Sequence, residues 1–443
     1  MEGTPKPGRF LAGAAKVIIT PQLGTRLYGY PTDRFASTIH DDLTATAVAV
    51  SNGSETAVLV SATVCSVPEP VCRRVKAQAE AKVGALHMII SATHTHSGPA
   101  LNSTPGWGEA SDAYIEEIFI PRLARVICDA VRNLEDAKLG IGEMETRAGI
   151  NRRELTEKGT VKLGRNPLGL YDPRMRVITF VSADESRTLG SIIHFGAHGT
   201  AAGGPYPDSP VTRDWSGVMT DRIEWMSDAP CAFLNGAEGD VAPRDFNRHK
   251  KYGKAPLDNM DQAMEIGGMA ATDAAEAYTG IDKYFLPDLR IRTGTITLPY
   301  EPLPGIEEIK ENLELLKDTT SPMKIYERNH WQKALEAVDK EPETALTYEQ
   351  VLVQIGPIVF VPHPFEIFTA IAVRLDRFSP VKYTLSLSQA NGCNGYLPNK
   401  EEIPRGGYEI WSSRYRGAYL LTEDADTELI NQNLEIINNM QEV

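Results

Sequence analysis

Apolar residues recur along this chain with two periods, and the switches between them outline its elements. "TATAVAVSNGSETAVLVSATV" (44–64) reads as two strands about an Asn52-Gly53 turn. Residues 68–82 follow with a helical pattern, and "ALHMIISA" is a buried strand that runs into "THTHSGP". In "SDAYIEEIFIPRLARVICDAVRNLED" (111–136), Ile115, Ile118, Phe119, Leu123, Val126, Ile127 and Val131 fall on one face of a long helix, despite Pro121. Strands are expected near 138–146, 175–182 and 187–195. A helix then begins at "DWSGVMTDRIEWMSD", with Asp214 as its N-cap. "CAFLNGAEGDVAPRDF" is a strand entering a Gly-containing loop, and 257–279 a helix.

Strand signals return at "RIRTGTITLPY", and 303–341 forms a charged helical pair. Two strands about Gly356-Pro357 lead to a helix starting near Phe365. "YTLSLS" is a strand entering a long loop, and 423–440 a final helix. No repeat, low-complexity tract or clean linker interrupts this order. The pattern therefore predicts a single α/β unit over 1–443, with mixed β-sheets layered between flanking helices and a helical insertion or lobe at about 303–341.

Composition narrows the function classes. A 443-residue chain with 42% hydrophobic and 23% charged residues can bury a large core without staples. A net charge of -14 argues against nucleic acid or an anionic membrane surface as partner. The five cysteines are odd in number and form no C-x-x-C pair, which favours reduced, mostly buried thiols. No signal peptide and no membrane span is visible, so a cytoplasmic location is expected, with homo-oligomerisation left open.

The candidate chemistry sits where strands end. Alternate residues of a strand face one side, so His94 and His96 would aim at a common point. H-x-H alone fits either a metal site or two loop histidines. "GSIIHFGAHGTAAGG" repeats the design and places His198 at a second strand exit, with His194 as a core histidine. "VFVPHPFEIFTA" puts Glu366 in the first turn of a helix, where the helix dipole would also favour a carboxylate. His363 is a rival ligand there. "NGCNGYLP" ends a fourth strand. Imidazoles and a carboxylate converging from several exits would suit a catalytic zinc, which needs about three protein ligands and an open position.

"SATHTHSGP" resembles the signature of the neutral/alkaline, non-lysosomal ceramidase family. "FLAGAAKVIITPQLGTRLYGY" followed by "IHDDLTATAVAV" is similar to that family's opening. "GINRR" resembles its N-R-S-P stretch, "AHGT" its second histidine motif, and "NGAEGDVAP" its G-D-V-S-P-N motif. "VPHPFEIFT" resembles P-G-E-x-T, and "NGCNGYLPNKEEIPRGGYE" the N-x-Y-x-x-Y…E-E-Y…Y-E stretch. The resemblance implies the fold of that family's catalytic domain and a zinc-dependent hydrolase that cleaves an amide, ester or lactone bond with a metal-bound water. It implies His94, His198 and Glu366 as zinc ligands, with Tyr396 a phenolic ligand or near-ligand. His96 would stabilise the oxyanion, Tyr408 would lie over the reacting carbonyl, and Arg152 would contact substrate or position the site.

Four departures accompany the match. Ala242 replaces the family serine, "HPFE" lacks the glycine before the glutamate, Cys393 replaces the first tyrosine, and "NRRE" replaces N-R-S-P. The chain also stops before the family's C-terminal immunoglobulin-like domain. The ligand set is kept and the substrate-facing set is altered, so the resemblance implies the same chemistry on another, soluble substrate, a small molecule or N-acyl compound.

Several residues keep two readings. Asp240 would orient a zinc-bound histidine or build a turn, and Asn391 and Asn394 would bind substrate hydroxyls or build turns. Arg152, Arg153, Arg213, Arg244 and Arg405 would read a substrate carboxylate or phosphate, or serve structure. Trp107 would wall the pocket or pack at the surface. Two rival functions remain open: a non-catalytic zinc or ligand-binding protein, and an amidohydrolase-type barrel, which needs eight regular βα units.

Overall fold

The computed structural model describes residues 9–202, 204, 208–244 and 259–442. Its central feature is an eight-stranded mixed sheet in two halves. Strands Leu11–Ile18, Thr44–Ser51, Thr56–Ala62 and His87–Ala92 form one half. Strands Glu135–Glu145, Arg174–Ser182, Thr188–Phe195 and Cys231–Asn235 form the other. Only a short pairing joins them, Leu11 to Asp136 and Ala12 to Glu135. The sheet bends at this joint, and its far strands approach each other. Ser61 Oγ donates to the Phe233 carbonyl at 2.7 Å, and Asn235 Nδ2 to the Thr93 carbonyl at 3.1 Å.

Helices clothe the outer faces, as expected for sheets whose apolar faces must both be covered. Glu69–Val83 and Ile120–Arg132 pack on the first half, and Asp214–Ser227 and Asn259–Thr279 on the second. A four-stranded sheet, Leu289–Pro299, Ala345–Ile355, Ile358–Pro362 and Tyr383–Leu387, closes the inner face. Phe10, Phe180, Ile192, Leu234, Val353 and Phe360 are buried in the core shared by both sheets. This mixed, largely antiparallel arrangement differs from a ring of eight βα units, which removes the amidohydrolase-type barrel.

The 303–341 segment contains helices Ile306–Leu316 and Pro322–Ala337. They lie between two strands that pair over their whole length, from Leu289 with Ile355 to Pro299 with Ala345. The helices have their own small core of Ile309, Leu316, Trp331 and Ala334.

Three local expectations change. The 111–136 helix is broken: a π-turn at Ile115–Phe119 precedes the regular helix Ile120–Arg132. Pro121 has no N–H and its ring crowds the carbonyl four residues back, so the widened turn absorbs it. Asp214 is the first helical residue, with φ +60°, and not the N-cap. Its carboxylate accepts from the Ala201, Ala202 and Trp215 amides and so ties a loop to the helix start. Glu366 lies in a two-residue strand with Ile367, parallel to Tyr396–Leu397, and the helix begins only at Thr369.

Close packing is strictest at Gly142, where a Cβ would lie 1.8 Å from the Ala277 carbonyl oxygen at the end of a helix. Backbone cannot yield as a side-chain tip can, so Gly142→Ala should cost about 1–3 kcal/mol or more. The measurement is a lowered urea midpoint with an unchanged m-value.

Candidate metal centre and its pocket

The His87–Ala92 strand ends at Ala92, and two residues later His94 adopts φ +62°. A non-glycine residue in this left-handed region costs energy and persists only where its surroundings hold it. Two amide bonds do so: His94 N to the Val64 carbonyl at 3.0 Å, and His96 N to the Gly199 carbonyl at 3.0 Å. The second joins both histidine loops, reinforced by a bridge between Thr95 and Gly199. Gly199 is required, since a Cβ there would lie 2.7 Å from the His94 carbonyl oxygen.

His94, His198 and Glu366 therefore meet in a buried cluster whose ligand atoms all lie within 4.8 Å of one another. Glu366 Oε2 is 3.4 Å from His94 Nε2 and 3.1 Å from His198 Nε2. The other ring nitrogens are already engaged, His94 Nδ1 with the Cys65 carbonyl and His198 Nδ1 with the Glu238 carbonyl, both at 2.7 Å. These bonds assign the protons to Nδ1 and turn both Nε2 lone pairs toward the carboxylate. Lone pairs facing a carboxylate repel each other unless a cation or proton lies among them. Two imidazoles and a carboxylate are also a donor set that zinc accepts. The residues thus fit a divalent metal.

Electrostatics follow the same geometry. Burial, then the charge of Arg152, pushes the His198 pKa down to about 3. Burial and the neighbouring His94 and His198 hold His96 well below its usual value. His94 is drawn well above its usual value: burial opposes its charge, but Glu238, Cys65 and Glu366 outweigh it. Burial also opposes charge on Glu366, yet His94 and His198 hold it well below the usual carboxylate range.

His96 Nε2 lies 3.3 Å from His94 Nε2. Its ring fits only because residue 29 is glycine, where a Cβ would sit 2.4 Å from His96 Cγ. Tyr396 Oη is 3.5 Å from His198 Nε2 and accepts from Arg152 Nη2 at 2.9 Å. Glu409 binds Arg152 Nε and Arg153 Nη1, each at 2.8 Å. Tyr408 packs edge-on to Tyr396, with ring centroids 5.9 Å apart. All seven sequence-derived site positions, Arg152 among them, thus lie in one neighbourhood.

Other candidates go elsewhere. His363 pairs with Ser386 Oγ at 3.3 Å, and His194 with the Ser386 carbonyl at 2.9 Å, so neither joins the cluster. The Asp240 carboxylate binds Thr369 and Asn151, and no histidine among the described residues bonds to it. Asn391 fastens its loop to the Met88 and Ile90 backbone. Arg153, Arg213 and Arg405 are paired with carboxylates, and Arg244 binds the Arg147 carbonyl. Ala242 is buried opposite Ile150. Sequence reasoning missed Gln389, whose Nε2 donates to Glu366 Oε1 at 3.1 Å, and Glu238, although Glu238 stands inside the quoted "NGAEGDVAP".

A cavity of about 60 Å³ opens above the cluster, lined among others by Tyr28, Asn102, Trp107, Tyr326, Tyr408 and Arg416. Trp107 meets Tyr326 edge-on at 5.1 Å, which brings the 322–337 helix into the wall. A larger cavity of about 410 Å³ shares Tyr396 and Arg416 with it. Among the described residues no helix is long and apolar enough to cross a membrane.

The arrangement of sheets and helices is similar to that of solved ceramidases. The chain superposes on the crystal structure of neutral ceramidase from Pseudomonas aeruginosa with a TM-score of 0.75, at 20% identity, over 99% of this chain and 75% of that one. A ceramidase complexed with C2 matches with a TM-score of 0.71 at 19% identity, over 98% and 75%. In sequence, 205 residues are 28% identical to neutral ceramidase of Pseudomonas aeruginosa, spanning 44% of this chain and 30% of that relative. No family model matches the chain.

Glu409 is 1% exposed and is shared by two buried arginines. Glu409→Gln should cost about 3–5 kcal/mol, as when one partner of a buried pair is lost. Chemical denaturation measures it.

Proposed function

We propose that the protein is a zinc-dependent hydrolase that cleaves an amide bond of a small, soluble substrate. The observation that carries this reading is the convergence of the His94 and His198 Nε2 atoms on the Glu366 carboxylate, with both Nδ1 atoms held by backbone carbonyls. His94, His198 and Glu366 would hold the metal, with Tyr396 beside them. Bound zinc supplies a Lewis acid and lowers the pKa of water to about 7.

The chain's own residues do the rest. Glu366 is held by Gln389, and the two imidazoles by their carbonyls, so the ligands need no reorganisation. Hydrolysis breaks the C–N bond, leaving the water oxygen on the acyl carbon and a proton on the leaving nitrogen. His96 Nε2, neutral because burial depresses its pKa, is the group that exchanges this proton. The Tyr408 hydroxyl, kept protonated by burial, donates to the oxygen on which charge develops. Arg152 anchors Tyr396 through a 2.9 Å bond. Trp107 and Tyr326 limit access of water and of bulky groups. The small polar cavity supports a short substrate rather than a sphingolipid seated whole above the metal.

His198→Ala should strip zinc, read by elemental analysis, and abolish turnover on a panel of N-acyl amides, esters and lactones. Full activity of metal-free protein would refute the reading, and bound zinc with no turnover across the panel would favour a binding protein. Tyr408→Phe should keep its zinc and lose about 10²–10³-fold in kcat.

A further inference from the structure

The site cavity is lined by an arginine that has no ion-paired carboxylate among the described residues. Arg416 lines both the 60 Å³ cavity and the 410 Å³ cavity beside it. It donates to the Cys393 carbonyl, and among the described residues no carboxylate is ion-paired with it. Its ionisable neighbours are Cys393, Tyr326 and Tyr28, and then Glu366. Burial raises the pKa of the first three, Tyr28 to about 12, so they stay neutral at pH 7. Glu366 is committed to His94, His198 and Gln389. The contrast with nearby arginines is plain, for Arg152 and Arg153 share Glu409, and Arg213 holds Asp41 and Asp221.

The seat of Arg416 is built. Gly395 has φ +75°, and a Cβ there would lie 2.8 Å from Arg416 Cδ and 3.4 Å from its Nε. The turn that delivers Tyr396 to the metal cluster thus also makes room for the arginine. An unpaired charge in a part-buried wall is costly unless a ligand completes it, and a planar guanidinium matches a carboxylate with two parallel bonds.

We propose that Arg416 receives a carboxylate on the substrate, so that the amide cleaved is that of a small N-acyl amino acid or a similar carboxylate-bearing amide. This rests on the hydrolase reading above and adds its substrate class. The carboxylate side of the substrate faces Arg416, and the amide carbonyl faces Tyr408 and the metal ligands.

The test compares N-acetylglycine with N-acetylglycinamide on the zinc-loaded protein, by turnover and by calorimetric binding. The wild type should favour the carboxylate roughly 10–100-fold, the worth of a charge-assisted pair. Arg416→Gln should reduce that preference to about threefold or less, and Arg416→Lys should retain part of it through the surviving charge. Should Arg416→Gln fail to fold, Arg416→Met, which keeps the aliphatic stem and removes the charge, serves in its place with the same expectation. Equal handling of both probes by the wild type, or an undiminished preference in Arg416→Gln, overturns the proposal. Turnover of neither probe with charge-selective binding defeats the hydrolase reading and leaves the carboxylate site standing. Binding of neither overturns the site as well.

Discussion

The backbone at His94–His96 runs against the backbone at Gly199 with no side chain between them. That contact sets the distance between two imidazoles that come from opposite parts of a bent eight-stranded sheet. A one-residue slip along it would turn His94 or His198 away from Glu366, because successive side chains alternate in direction. The left-handed backbone at His94 is a local cost of this approach, and it is met by bonds to Val64 and Gly199.

Around that contact, the polar residues are ordered outward in tiers. Carbonyls of Cys65 and Glu238 orient the imidazoles, and Gln389 orients the carboxylate. Arg152 then ties Tyr396 to Glu409, and Arg153 extends the network to Glu402. All but the outermost member, Glu402, are buried, so each depends on its partner, and the site is stiff for the same reason that it is sensitive to single changes.

Much of this was legible in the sequence because strands that are buried on both faces end abruptly at polar, glycine-rich loops. His94, His96 and His198 follow such ends, and the ordered likeness to ceramidases grouped them with Glu366, Tyr396, Arg152 and Tyr408. What the sequence hid was non-local. Glu366 reads as the start of a helix because Phe365, Phe368, Ile371 and Leu375 recur at helical spacing, whereas its pairing with Tyr396 makes it a strand. Asp240 reads as a partner for histidine, but the Glu238 carbonyl two residues earlier takes that place. Arg416, in "SSRYRGAY", carries no motif at all. That it has no ion-paired carboxylate among the described residues, while nearby arginines do, is visible only in the fold.

His198 and Glu366 are 168 residues apart in sequence, and His94 is farther still from Glu366. A cation gripped by all three would cross-link loops that are very costly to close in an unfolded chain. Such an ion would be a structural rivet as well as a reagent, and a chelator would loosen the molecule along with its site. The same spacing delays assembly during synthesis. His94 and His198 emerge from the ribosome long before their carboxylate, so the centre stays incomplete until the late segment carrying Glu366 and Tyr396 has docked.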